Sequence, residues 1–297
     1  MTAGPTTMRA VRLHVPAGPE ALVLERIETP RPDEGEALVR VHAAALTRDE
    51  LSWTFDRLPA IPSYELSGVV ADLGPGTTDV AVGDAVFALT QGGVAAEFAA
   101  VAIELLGPKP STLDHVQAAA VPLPALSAWQ GMFVHGGLEA GQRVLISGAS
   151  GGVGNLALQL AHHRGAHVIA ITSAERAERA RALGADEVVA AADLDALAPV
   201  DLVFDTIGGE LLARSPTFVR GGGRVVTVAE EPPAGVDAFY FVVEPDRGQL
   251  AELARLADDG LLRPEIDSVF PLDEARAAFE RSMAPGKRGK VVIRVED

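Results

Sequence analysis

One run in mid-chain, Val144-Leu145-Ile146-Ser147-Gly148-Ala149-Ser150-Gly151-Gly152-Val153-Gly154, restricts the fold more than any other stretch. It opens with apolar residues of strand type and turns through small residues. It then enters Asn155-Leu156-Ala157-Leu158-Gln159-Leu160-Ala161, whose apolar spacing is helical. From Ala149 it reads A-x-G-x-x-G, the dinucleotide-binding pattern with alanine at the first glycine position. In that pattern Gly151 lets the backbone approach a pyrophosphate lying on the free N–H groups that open the helix. Gly154 lets the helix pack closely on its strand. Ala149, Ser150, Gly152 and Val153 complete the cofactor loop. A second strand, His167-Val168-Ile169-Ala170-Ile171-Thr172, follows at the distance a parallel β-α-β unit requires.

The end of that second strand selects the nucleotide. Ser173 stands 24 residues past Ala149, where an NAD-preferring fold carries an acid for the ribose 2′-hydroxyl. A serine hydroxyl with Arg176 and Arg179 just behind suits a 2′-phosphate, because the arginine fork matches phosphate oxygens. The expected cofactor is therefore NADPH. Glu175 and Glu178 keep open a second reading, in which both arginines belong to a solvated helix face.

The chain has 297 residues, 48% of them hydrophobic, enough for a large core and for two domains. A net charge of −16 argues against nucleic acid or an anionic membrane as partner. With no cysteine, disulfides, thiolate catalysis and cysteine-ligated metal sites are excluded. The start, Met1 to Thr7, lacks the basic and apolar segments of a secretory leader, and no apolar run reaches spanning length. The expectation is a soluble, cytoplasmic protein.

Before residue 111 the chain reads as short strands with Gly and Pro turns. They are 8–13, 22–27, 36–44, 64–73, 84–88 and 95–101, which argues for a β-rich, barrel-like first domain. Ser111-x-x-Asp114 looks like a capping box, Pro122 and Pro124 interrupt, and 126–134 runs helically to Gly136-Gly137. From Val144 strands and helices alternate, the mark of parallel β-α-β units. Helices are expected at 249–257 and 272–282, then a last strand at 291–293. The fold class is α/β.

Other motifs recur in order: Gly18-Pro19-Glu20; Gly68-Val69-Val70 with Gly74-Pro75-Gly76; and Val82-Gly83-Asp84-Ala85-Val86-Phe87. Leu183-Gly184-Ala185-Asp186-Glu187, Asp205-Thr206-Ile207-Gly208-Gly209 and Gly289-Lys290-Val291-Val292 follow. With the Ala149–Gly154 loop, this arrangement resembles the zinc-independent quinone oxidoreductase (zeta-crystallin-like) branch of the medium-chain dehydrogenase/reductase superfamily, over nearly the whole chain. The resemblance implies a GroES-like catalytic domain from 1–122 and 264–297, and a Rossmann domain from 123–263. It implies a cleft for the nicotinamide and a homodimer joined at Rossmann edge strands. Thr206, Ile207 and Gly208 fall on the adenosine side. Val228, Ala229, Phe241 and Val242 fall where relatives hold the carboxamide with backbone groups, and Lys290 where a basic residue reaches the cofactor phosphate.

Zinc-dependent members of that superfamily place metal ligands at positions matching Thr47, Tyr64 and about Leu123, none a first-choice zinc ligand. No metal is expected. Without Lewis-acid polarisation the hydride acceptor must already be electron-poor, a quinone or a conjugated enone. Thr47 then offers a hydroxyl to the substrate carbonyl or cofactor ribose, or merely caps a strand. Tyr64 is either a donor to a developing oxyanion or a structural tyrosine. Trp53 and Phe55, with Leu123 and Leu126, are expected to wall the substrate pocket. Two further readings stay open: an enoyl-thioester reductase of secondary metabolism, and a non-catalytic NADPH-binding sensor.

Overall fold

A computed structural model describes residues 5–53, 55 and 57–296. Met1 to Gly4, part of the segment read for a leader, lie outside the described residues. Two compact units emerge: the first takes 1–123, 245–260 and 264–297, the second 124–244 and 261–263.

In the first unit, Thr7–Leu13 and Leu22–Glu28 form an antiparallel ribbon. A seven-stranded sheet is built around the long strand Glu36–Leu46, which pairs antiparallel with Glu65–Leu73, Phe98–Ala102 and Lys290–Arg294. Ala85–Leu89, Leu106–Pro108 and Ile266–Pro271 complete it. The chain end therefore supplies two strands to a sheet begun at Glu36, with Val292 opposite Ala45. Alternation explains this pairing, because Val291 and Ile293 bury with Leu46, Leu66, Leu106 and Phe279 in one core.

One helix lies elsewhere than expected. Arg247–Asp258 belongs to the first unit, whereas the family resemblance implied the Rossmann domain, 123–263, for it. Its Leu250 abuts Gly107, where an added Cβ would sit 2.8 Å from Leu250 Cβ. Its Asp258 accepts from Ser111 Oγ (3.0 Å) and Thr112 N (2.9 Å). Local periodicity reports a helix but not the surface its apolar face covers.

In the second unit six strands pair in parallel throughout. Their order is Glu187–Val189, His167–Ile171, Arg143–Ile146, Val200–Asp205, Val219–Thr227, Phe239–Tyr240. Helix Gly152–His163 buries Leu156, Leu158 and Leu160 behind the first of the strands in chain order. Among the described residues no helix is long and apolar enough to cross a membrane.

Local expectations were corrected in two places. Pro122 and Pro124 do not interrupt a helix; they start Pro122–Trp129, where a missing N–H costs nothing. The capping box sits one turn later than read: Asp114 accepts from Gln117 N (2.7 Å) and Gln117 Oε1 from Asp114 N (3.2 Å).

His42 and His115 stack in the first unit, ring centroids 4.3 Å apart, and His115 Nδ1 shares a 2.8 Å hydrogen bond with Ser67 Oγ. Burial, aided by the His42 charge, pushes His115 down to about 4 from an ordinary 6.5; burial lowers His42 also, against Glu296. Between those values the unfolded chain binds more protons than the folded one, so stability falls as pH drops from 6.5 towards about 4. Denaturant midpoints measured across that window are expected to fall more steeply in the wild type than in His115→Gln.

Candidate functional site

The strand order of the second unit reverses between Arg143–Ile146 and Val200–Asp205. In open parallel sheets the crevice beyond the strand ends at such a point holds the nucleotide. Two loops leave it, 148–154 and 206–208, and a buried carboxylate ties them together. Asp205 accepts from Ser147 Oγ (2.6 Å), Thr227 Oγ1 (2.8 Å), Ile207 N (3.2 Å) and Gly208 N (3.0 Å). Thr206 closes the knot, its N–H donating to Ser147 Oγ at 2.8 Å and its hydroxyl to Ser147 O at 2.9 Å. Sequence reasoning saw Asp205 only as part of a motif and passed over Ser147 and Thr227, since their partners lie 22 to 58 residues away.

The glycines divide the work differently from the sequence pattern. Gly148, not the first pattern position Ala149, makes the tight turn: its φ is +64°, and a Cβ there would lie 2.3 Å from Thr206 Oγ1. At Gly154 a Cβ would meet Gly148 O at 2.1 Å, so the helix rests directly on the turn. At Gly151 a Cβ would meet only Gly148 O, at 3.2 Å. Gly151 is thus crowded on the Gly148 side alone, next to the first turn of a 12-residue helix whose leading N–H groups have no intrahelical acceptor. A pyrophosphate fits there on charge and on space.

Ser173 is exposed and Arg176 half-exposed, one turn into the following segment. Beside them, Ser150 Oγ and Thr172 Oγ1 are 3.0 Å apart, a hydroxyl pair joining the loop to the second strand. Thr172 had not been singled out. Ile207 is exposed at the crevice loop, and Gly209 N donates to Glu230 Oε1 (2.6 Å).

The carboxamide-side residues are more constrained than expected. Val228 N donates to Asp205 O (3.1 Å), Ala229 N to Thr227 Oγ1 (3.1 Å) and Phe241 N to Thr227 O (3.3 Å). Asp205 and Thr227 take those three N–H groups. Phe241 is buried against the His135 ring (4.6 Å between centroids), whereas Val242 is 69% exposed.

The first unit holds a second concentration of buried ionisable groups. Glu50, Glu65 and Lys290 are all buried around Thr47. Glu50 accepts from Thr47 N (2.8 Å) and Ser63 N (3.1 Å). Burial pushes its carboxyl up to about 8, with the Glu65 charge adding and the two N–H groups and Lys290 opposing. Glu65 gives one oxygen to Lys290 Nζ and the other to Leu123 N (3.0 Å); burial raises it too, against Lys290. Lys287 nearby is pushed down to about 8, by burial first and then by the Lys290 and Arg48 charges. Ser63 holds a left-handed φ of +71°, clamped by its Glu50 bond and by Ser63 Oγ to Ala45 O (3.0 Å). Such backbone strain gathers at functional sites. Tyr64 follows it, and the Trp53 ring lies 4.9 Å from the Tyr64 ring, tilted 56°.

Two expectations need correction. Lys290 has no free ammonium for a cofactor phosphate: it is 5% exposed and engaged by Glu65 and Thr47. Gly289, at φ +77° and with room for no side chain against Glu265 O, leads its strand into that buried position. Leu126 is fully buried, with no surface to line a pocket. Phe55 is half-buried and packs on the core of the first unit, which leaves its pocket role open. Glu50 and Glu65 carry little sequence signal, since Thr47-Arg48-Asp49 and Ser63-Tyr64 beside them read as polar stretches; the fold alone buries them. Among the described residues no group of three His, Cys, Asp or Glu side chains is placed to hold a metal ion.

Comparison with known proteins agrees with both units. The alcohol dehydrogenase GroES-like domain model matches residues 33–111 and the zinc-binding dehydrogenase model residues 183–293. The chain is 33% identical to a "probable zinc-binding oxidoreductase, mitochondrial" of Arthroderma benhamiae, covering 99% of both chains. It is 34% identical to the NADPH-dependent alkenal/one oxidoreductase of Arabidopsis thaliana, over 93% of this chain and 76% of that one. The solved quinone oxidoreductase of Coxiella burnetii superposes with a TM-score of 0.89 at 28% identity, covering 98% of this chain and all of that one. The chain belongs to the medium-chain dehydrogenase/reductase superfamily, in its quinone oxidoreductase branch.

Proposed function

We propose that the protein is an NADPH-dependent reductase that delivers a hydride to a quinone or other conjugated carbonyl acceptor without a metal. The observation that carries this is the site around Thr47: a buried Lys290–Glu65 pair, a threonine and a tyrosine, in a chain without cysteine. Thr47, Tyr64 and Leu123 make no zinc set, so the acceptor itself must be electron-poor. NADPH supplies the hydride when bound. Gly148–Gly154 and Thr206–Gly208 would hold its phosphates and adenosine, and Ser150, Thr172, Ser173 and Arg176 its 2′-phosphate. The alkenal/one and quinone reductase relatives support that acceptor class.

The test is consumption of NADPH at 340 nm with 1,4-benzoquinone, 9,10-phenanthrenequinone, an alkyl enone and an enoyl-CoA, with and without a chelator. Turnover of the first three, unchanged by chelation, is expected. Turnover restricted to the thioester, or lost to the chelator and restored by zinc, would refute the proposal.

Cofactor choice has its own test. A charge-assisted bond to the 2′-phosphate is worth about 1.5–3 kcal/mol, or about one to two decades in affinity. Ser173→Asp is expected to weaken NADPH by that amount while sparing NADH. Kinetics with both cofactors check it, and equal losses for both would refute it.

The proposal extends to a cytoplasmic homodimer. Its support is the sheet edge at Phe239–Tyr240, where Phe239 and Val242 are exposed. Sedimentation at micromolar concentration decides between dimer and monomer.

A further inference from the structure

The lysine beside Thr47 governs which way the threonine proton points. An ammonium has three N–H bonds and no lone pair, so Lys290 Nζ donates to Thr47 Oγ1, 3.2 Å away, and cannot accept from it. Glu65 holds the ammonium in place, and Leu123 N holds Glu65. Glu50 holds Thr47 from the backbone side, through the Thr47 N–H. Among the described residues Thr47 Oγ1 has Lys290 as its hydrogen-bond partner and no acceptor for its own proton. A threonine hydroxyl normally chooses between donating and accepting; here one lone pair is taken by a cation and the O–H is turned away from it.

The geometry points to Lys290 as a positioning residue that makes the Thr47 hydroxyl a committed, polarised donor to the carbonyl oxygen of the acceptor. This inference rests on the reductase reading. Hydride addition to a quinone or enone moves an electron pair onto the carbonyl oxygen, as a hydroquinone anion or an enolate. Thr47 O–H bonds that oxygen more strongly as its charge grows, which is how a pre-aimed donor lowers a barrier. The buried cation behind Thr47 strengthens the donor. The hydride reduces the acceptor by two electrons, and the oxyanion or the enolate carbon takes its proton from water. Lys290 and Thr47 end the turnover with the protons they began with. The charged groups facing Lys290 are Glu65 and Glu50, with Lys287 beyond; Arg48 and Asp49 face Lys287. None of them bonds the Thr47 hydroxyl.

Four variants test it, each read by kcat and KM for the acceptor and by NADPH affinity. Thr47→Val removes the donor at constant shape and is expected to lower kcat about 10²–10³-fold with NADPH affinity unchanged. Thr47→Ser keeps the hydroxyl and is expected to recover most of the kcat that Thr47→Val loses. Lys290→Arg, still a donor without a lone pair, is expected to retain most of the wild-type kcat. The double change Glu65→Gln with Lys290→Gln removes both buried charges, which guards the fold. It also gives Thr47 an amide oxygen to donate to. It is expected to lower kcat in the otherwise native chain and to add nothing on top of Thr47→Val, since the two act as one unit. Fully additive losses, or a double variant that weakens NADPH with kcat intact, would overturn the inference and return Lys290 to the cofactor. Wild-type turnover that Thr47→Val leaves unchanged overturns this inference alone. A wild type inert towards every quinone and enone overturns the reductase reading and this inference with it.

Discussion

Gly151→Val is expected to leave the chain folded and unable to bind NADPH, while Gly154→Val is expected to disrupt the second unit. The two glycines are three residues apart in one motif, yet different neighbours exclude a side chain from each. Gly151 has φ −81° and ψ 178°, an extended conformation open to valine, and its nearest obstacle is Gly148 O at 3.2 Å from an ideal Cβ. A valine there fills space that the pyrophosphate needs. Gly154 faces Gly148 O at 2.1 Å and Ala149 Cα at 2.8 Å, backbone atoms of the turn that cannot swing aside. Over-packing of this kind costs about 1–3 kcal/mol or more. The expected loss of NADPH affinity in Gly151→Val exceeds a hundredfold, about 2.7 kcal/mol. Fluorescence titration beside thermal unfolding of both variants separates the outcomes. A folded Gly151→Val protein with wild-type affinity would move the cofactor away from this loop.

Lys290→Met alone should be among the most destabilising substitutions in the first unit. It leaves the Glu65 carboxyl fully buried without its cation, and breaking a buried pair from one side typically costs about 3–5 kcal/mol. Pairing it with Glu65→Gln should recover most of that loss, because a neutral amide still accepts from Leu123 N and no charge remains inside. Urea denaturation of the wild type, the single and the double variant reads the effect directly. A double variant no more stable than the single one would mean that methionine packing, and not the stranded charge, causes the loss.

Much of the architecture was legible in residue order. The strand–glycine turn–helix run at 144–161, the later alternation of strand and helix, and the short strands before residue 111 were all locally encoded. Period, turn chemistry and apolar runs report elements because they depend on neighbours within a few positions. They also misread details that local rules leave open. Pro122 and Pro124 looked like breaks and are a helix start, since proline is excluded only from later turns. The A-x-G-x-x-G pattern begins at Ala149, while the backbone gives the left-handed position to Gly148, one residue before it.

The site depended on pairings across long separations. Lys290 meets Thr47 and Glu65 over 243 and 225 residues, and Asp205 joins Ser147 over 58. The family resemblance implied a phosphate for Lys290; the sheet placed it inside, because Val291 to Arg294 pair antiparallel with Ala43 to Leu46 and carry the lysine to the strand end that Thr47 follows. Sequence alone determined that the chain has a strand–glycine turn–helix run, a β-rich unit and no cysteine, since each is a property of composition or of a few consecutive residues. Tertiary structure alone decided which charges are buried and whom they face. Burial and hydrogen-bond direction arise only when distant strands bring their side chains into one dry space.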